Sequence, residues 1–177
     1  LPQAGVDRVR QVLEGHALGS GAPMIVGPPA LAHQDIEPYG WIRRAALYPF
    51  AKEMHALVRF RDLLRFEIVG VADPAGKGLV GKDAGEAVGA GTAGVRIVAS
   101  LKQACHGADT LVLGHVDRLE QLRRRDVRRE CIERALELGL NVFSLGPVWP
   151  AAYADLHEQA RRRGLQVRFP QVSPSEV

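Results

Sequence analysis

Cysteine is scarce in this chain. Only Cys105 and Cys131 occur among its 177 residues, and no C-x-x-C spacing is present. A disulfide framework or a cysteine zinc site is therefore not expected, and a reduced, cytoplasmic compartment fits. Long apolar runs are missing too. None approaches the roughly 20 residues that span a bilayer, and the N-terminus has no signal-peptide apolar core. No membrane partner is expected. An initiator Met is also lacking, which fits a tag-cleaved product or a fragment. Charge of one sign is lacking as well. Lys and Arg number 23 against 20 Asp and Glu, for a net charge of +3. That excess is too mild to argue for nucleic acid. Without H-E-x-x-H or clustered His and Asp, no metal site is expected.

What is present describes an ordinary globular domain. The hydrophobic fraction is 46% and the charged fraction 24%, and the length suits one domain with a sizeable core. Val6, Val9, Val12 and Leu13 fall at helical spacing, so 5–18 reads as an amphipathic helix. Residues 1–22 are taken as that helix plus a linker, and 23–177 as a single domain. "PMIVG", ending at Gly27, reads as the first strand, followed by a long proline-rich loop. Phe50, Met54, Leu57, Val58 and Leu64 mark a helix across about 50–64.

From there strands and helices alternate. Strands are expected at 66–73, 95–100, 109–116, 141–147 and within "LQVRFPQV". Helices are expected at "LKQACHG", about 120–138, and along Ala152, Leu156 and Ala160 to a cap at Gly164. Near-continuous apolar strands between helices imply a doubly wound α/β fold, with a mainly parallel Rossmann-like sheet and helices on both faces. Six strands suit the order 3-2-1-4-5-6, whose ligands sit outside the carboxyl ends of the strands.

The stretch "VGVADPAGKGLVGKDAGEAVG" fits two phosphate patterns at once. Gly76, Gly81 and Lys82 match G-x-x-x-x-G-K, and Gly76, Gly78 and Gly81 match G-x-G-x-x-G. A P-loop needs Ser or Thr after its Lys to hold Mg²⁺, and Asp83 stands there instead. A dinucleotide fingerprint belongs after the first strand, whereas this loop follows the second. With 19 glycines such matches are cheap, and "GAGTAG" supplies another in front of a strand. Asp73 is the better clue, because an acid ending the second strand can reach a ribose hydroxyl. The plainer reading is the start of an Asp-Pro turn.

The segments "FEIVGVADP", "GLVGKDAGEAVG", "GVRIVASLKQACHGADTLVLG", "ALELGLNVFSLGPV" and "LHEQARRRGLQVRFP" together cover about 66–170. In order and content this region resembles the N-terminal Rossmann-like domain of a bacterial and archaeal domain-of-unknown-function family. "GKDAGE", Gly81–Glu86, is its most specific part. Members usually carry a C-terminal P-loop domain, and one branch is described as a D-glutamate N-acetyltransferase. The resemblance thus implies a nucleotide- or acyl-donor-linked enzyme. This chain departs from the pattern in three ways. It ends near where the second domain would start, it lacks a glycine-rich turn after the expected first strand, and it reads "SLGPV" where the family has "S-G-L-H".

The expected ligand contacts are Gly27, Asp73, Lys77, Lys82, Asp83, Gly114, His115 and Ser144. Lys77 and Lys82 would meet an anionic group and Asp73 a hydroxyl. His115, just past an apolar strand, would act as base or contact, or else simply bond backbone. Cys105 and His106 are adjacent on a helix and point apart. The arginines of 118–130 and 158–163 are interleaved with acids, as on a solvated helix face. Tyr39, Trp41 and Tyr48 suit a crevice lid or a subunit contact, and a homo-oligomer is expected. The leading expectation is a domain binding a nucleotide or small metabolite. The alternatives are an NAD(P)-dependent oxidoreductase domain and a non-catalytic oligomerisation or regulatory module. A nucleotide or NAD(P) is the candidate cofactor, and no catalytic residue is assigned.

Overall fold

Arg44–Tyr48, read as RAALY, forms the first strand of the sheet, β1. The computed structural model describes Gly5, residues 7–9, Val12, and residues 41–74, 78–116, 124–145 and 150–169. The expected strand at 23–27 lies outside these residues. The periodicity of 42–49 does not announce a strand, because Ala45 and Ala46 are strong helix formers and Pro49 follows directly. Tertiary pairing overrides that preference.

The rest alternates largely as the sequence predicts. Helix α1 (Lys52–Arg59) and a 3-10 turn (Arg61–Leu63) lead to β2 (Glu67–Ala72). Then come α2 (Ala84–Ala87), β3 (Ile97–Val98), α3 (Leu101–Ala104) and β4 (Thr110–Leu113). Helix α4 (Val127–Glu137), β5 (Asn141–Ser144), α5 (Ala154–Arg162) and β6 (Val167–Arg168) complete the chain. Each helix has a local cause. In α1, Met54, Leu57 and Val58 form the buried stripe, and Glu53 and Arg59 sit at the ends that suit their charges. Asp126 caps α4 by accepting the Arg129 N–H at 2.9 Å, and Ser100 caps α3. Gly164, at φ +70°, ends α5 as expected.

All strand pairs are parallel, in the order β3-β2-β1-β4-β5-β6. This is the doubly wound order, and the strand order reverses between β1 and β4. Alternate strand residues face opposite layers. Leu47, Val71, Val112 and Phe143 pack with Met54 and Leu57 of α1, joined by Val9 and Val12. Ala46, Leu111, Leu113 and Val142 pack with Ile132, Ala135 and Leu156 of α4 and α5. The outer edge of β3 is covered by an antiparallel ladder. Gly81 N–H donates to Ile97 O, Ile97 N–H to Lys82 O, and Ala84 N–H to Val95 O. That removes one exposed edge of the sheet. Among the described residues no helix is long and apolar enough to cross a membrane.

Gly70 lets α3 close onto β2. A Cβ at Gly70 would overlap the Ala104 carbonyl oxygen, a main-chain atom that cannot step aside. Gly70→Ala is therefore expected to cost about 3 kcal/mol through overpacking. Urea denaturation measures it, and a midpoint equal to wild type would refute the close approach.

Candidate functional site

At the carboxyl edge the chain bonds to itself. The Tyr48 carbonyl accepts the Gly114 N–H at 2.7 Å. The Phe50 N–H donates to Asp73 Oδ1 at 3.1 Å, so the acid ending β2 pins the turn leaving β1. Asp73 is fully buried. It therefore positions Phe50 and does not face solvent. Ala51 N–H is held by Pro49 O at 2.9 Å, and Pro49 has no N–H to offer. The turn after β1 thus lacks the amide cradle that pyrophosphate needs. The sequence argument against the dinucleotide mode placed that turn near 26–35, which lies outside the described residues.

Glu53 is the residue that sequence reasoning missed. From the first turn of α1 its Oε1 accepts the His115 N–H at 2.9 Å. Gly114 makes room for it, because a Cβ there would lie 2.5 Å from that oxygen. His115 and Glu53 are both half-buried at the reversal point. The missing Cβ, a feature that often lets a ligand approach, is here filled by the chain's own carboxylate.

Ser144 is buried at the end of β5. Its Oγ accepts a 2.6 Å bond from Arg128 Nη1, which also donates to Leu145 O at 2.8 Å. Arg128 thus departs from the solvated face expected of its helix. It is 2% exposed, with its head held under the β5 terminus. Its neighbours behave as the sequence predicts. Arg129 pairs with Asp155 at 2.6 Å, and Arg161 and Arg162 pair with Glu158. Tyr48 is buried in the core as the last residue of β1, so its ring serves neither lid nor interface. Trp41 packs 6.3 Å from the Phe143 ring, with Arg168 over its face. Cys105 and Cys131 are both buried, and burial pushes the Cys105 thiol up to about 11. Among the described residues, no cluster of His, Cys, Asp or Glu is placed to hold a metal ion.

Lys82 and Asp83 lie elsewhere. They line an open depression of about 560 Å³, with Glu86, Thr92, Gly94 and Arg96, on the outer edge of β3. From β3 to β4, the strand that leads to His115, is three strand spacings, roughly 14 Å. The predicted contacts therefore form two groups, and Gly27 and Lys77 fall outside the described residues. The Asp83 carboxylate is turned toward the main chain of its own segment. Its Oδ1 accepts N–H bonds from Gly85, Glu86 and Ala93, and its Oδ2 one from Gly94. The amide of Ala93, then those of Glu86, Gly94 and Gly85, hold its carboxyl down at about 2, against 3.8 ordinarily. A depressed folded-state pKa contributes stability above the unfolded value and loses it as pH falls through the folded one. The stability gap between wild type and Asp83→Asn is expected to be constant above about pH 4 and to close toward pH 2. Urea unfolding across that range checks it, and a gap independent of pH would refute the role.

No curated protein matches the sequence. The solved amine dehydrogenase from Mycobacterium smegmatis superposes with a TM-score of 0.50 at 23% identity, covering 71% of this chain and 38% of that one. The chain thus spans well under half the length of that enzyme, and the likeness is one of fold. The family described as a domain of unknown function, DUF1611_N, a Rossmann-like domain, matches residues 77–168. That span holds the "GKDAGE" segment and four of the six strands, and the chain belongs to this Rossmann-like family.

Proposed function

We propose that the domain binds a small hydroxyl- or amine-bearing metabolite, a nucleoside moiety included, at the carboxyl edge between β1 and β4. One observation carries this reading. The N–H groups of Phe50, Ala51, Gly114, His115 and Leu145 are all taken by acceptors of the chain itself. Among the described residues, what remains half-exposed there is the Glu53 carboxylate and the His115 imidazole. Such an edge accepts hydrogen bonds more readily than it donates them, so it suits hydroxyl and ammonium groups over phosphates. The reversal of strand order supports the location, since open parallel sheets bind ligands there. Asp73 and Ser144 shape the floor from behind. The fold-level likeness to an amine dehydrogenase is compatible with an amine-bearing ligand.

Isothermal calorimetry with adenosine, ADP, NAD(P) and coenzyme A tests the reading. Adenosine is expected to bind at least as well as ADP. His115→Ala is expected to weaken it roughly tenfold, the equivalent of one lost hydrogen bond. Gly114→Ala is expected to do the same without unfolding the domain, because its Cβ meets only the far ends of flexible side chains, Glu53 Oε1 at 2.5 Å and Met54 Cε at 3.0 Å. Binding that depends on the pyrophosphate would favour the NAD(P) oxidoreductase alternative. No binding of any of them at low-millimolar concentration would remove the small-ligand reading and leave an assembly role.

A further inference from the structure

Lys82 and Arg96 are two exposed cations that line the depression beside β3. The Lys82 ammonium makes no ion pair or side-chain hydrogen bond with any described residue. Arg96 donates from Nη1 to Gly81 O at 2.9 Å and makes no ion pair among the described residues. That single bond aims the guanidinium and leaves its other N–H groups available. The carboxylates beside them are answered. Asp83 receives four main-chain N–H bonds, and Glu86 Oε1 receives the Thr92 hydroxyl at 2.9 Å. All these groups line one open depression of about 560 Å³. Its shape is held by the Asp83 bonds and by the ladder to β3, so the two cations sit on an ordered frame.

We propose that this depression is a second binding site, one that takes an oxyanion, either a phosphate monoester or a carboxylate. Lys82 supplies a point charge and Arg96 a fork of donors, the two complementary ways of meeting such a group. The site lies outside β3 and the β1–β4 edge lies beyond β2, so the two share no residue and the proposal does not rest on the reading above.

The test is an NMR titration of the folded domain with inorganic phosphate, and separately with succinate, at constant ionic strength. Saturable amide shifts confined to residues 81–96 are expected. Lys82→Gln is expected to weaken the binding about tenfold, the scale of one charge-assisted hydrogen bond. Lys82→Arg is expected to restore most of it, and His115→Ala to leave it unchanged. The preferred anion identifies the source of the oxyanion. Linear, unsaturable shifts with both anions, or equal affinity in wild type and Lys82→Gln, would overturn the site. Lys82 is exposed, so neither variant threatens the fold.

Discussion

The arrangement depends on β1 being hydrogen-bonded along both edges. Ala46 and Leu47 pair with Gly70 and Val71 on one side and with Leu111 and Val112 on the other. A strand enclosed this way has both faces buried, which is why it is short and carries two alanines between helices. Its last residue fixes the edge above it. Tyr48 O takes the N–H of Gly114, the chain turns through Pro49, and Phe50 N–H meets Asp73. Helix α1 then starts where Glu53 reaches His115. One strand thereby draws the ends of β2 and β4 together, and the donors there are used in doing so.

Asp83 shows how one residue can spoil one motif and make another. A carboxylate after G-x-x-x-x-G-K is wrong for a P-loop, because it would repel the phosphates it faced. Here it faces four amides of its own segment. Gly85 is needed for the same knot, since a Cβ there would strike the Gly91 carbonyl. Gly81, at φ +93°, adopts a backbone that a side chain would disfavour. The "GKDAGE" segment is thus intelligible as a structural clasp over the β3 edge, with Lys82 carried on its outside.

Much of the fold was legible. Strands β2, β4 and β5 read as apolar runs of strand length between turn signals, and α4 and α5 as periodic stripes. The strand order followed from their number and alternation. β1 was not legible, because alanine carries no strand signal and its pairing partners lie some 20 to 65 residues away. The site was legible only in part. Asp73 and His115 were singled out because strand ends are places where side chains meet ligands. Glu53 was hidden because its role depends on the Cβ-less Gly114 opposite it, across 61 residues of chain. Arg128 was misread because helical spacing places a residue on a face without telling which neighbour accepts it.

By itself, the sequence determined the α/β class, the parallel sheet and the positions of most strands. These follow from periodicity and from single residue types, which act locally. Only the tertiary structure decided that Arg44–Tyr48 is a strand, which carboxylates are turned inward, and that Lys82 and His115 stand at separate places. Those outcomes depend on hydrogen-bond partners distant in sequence, and no pattern of spacing along the chain contains them.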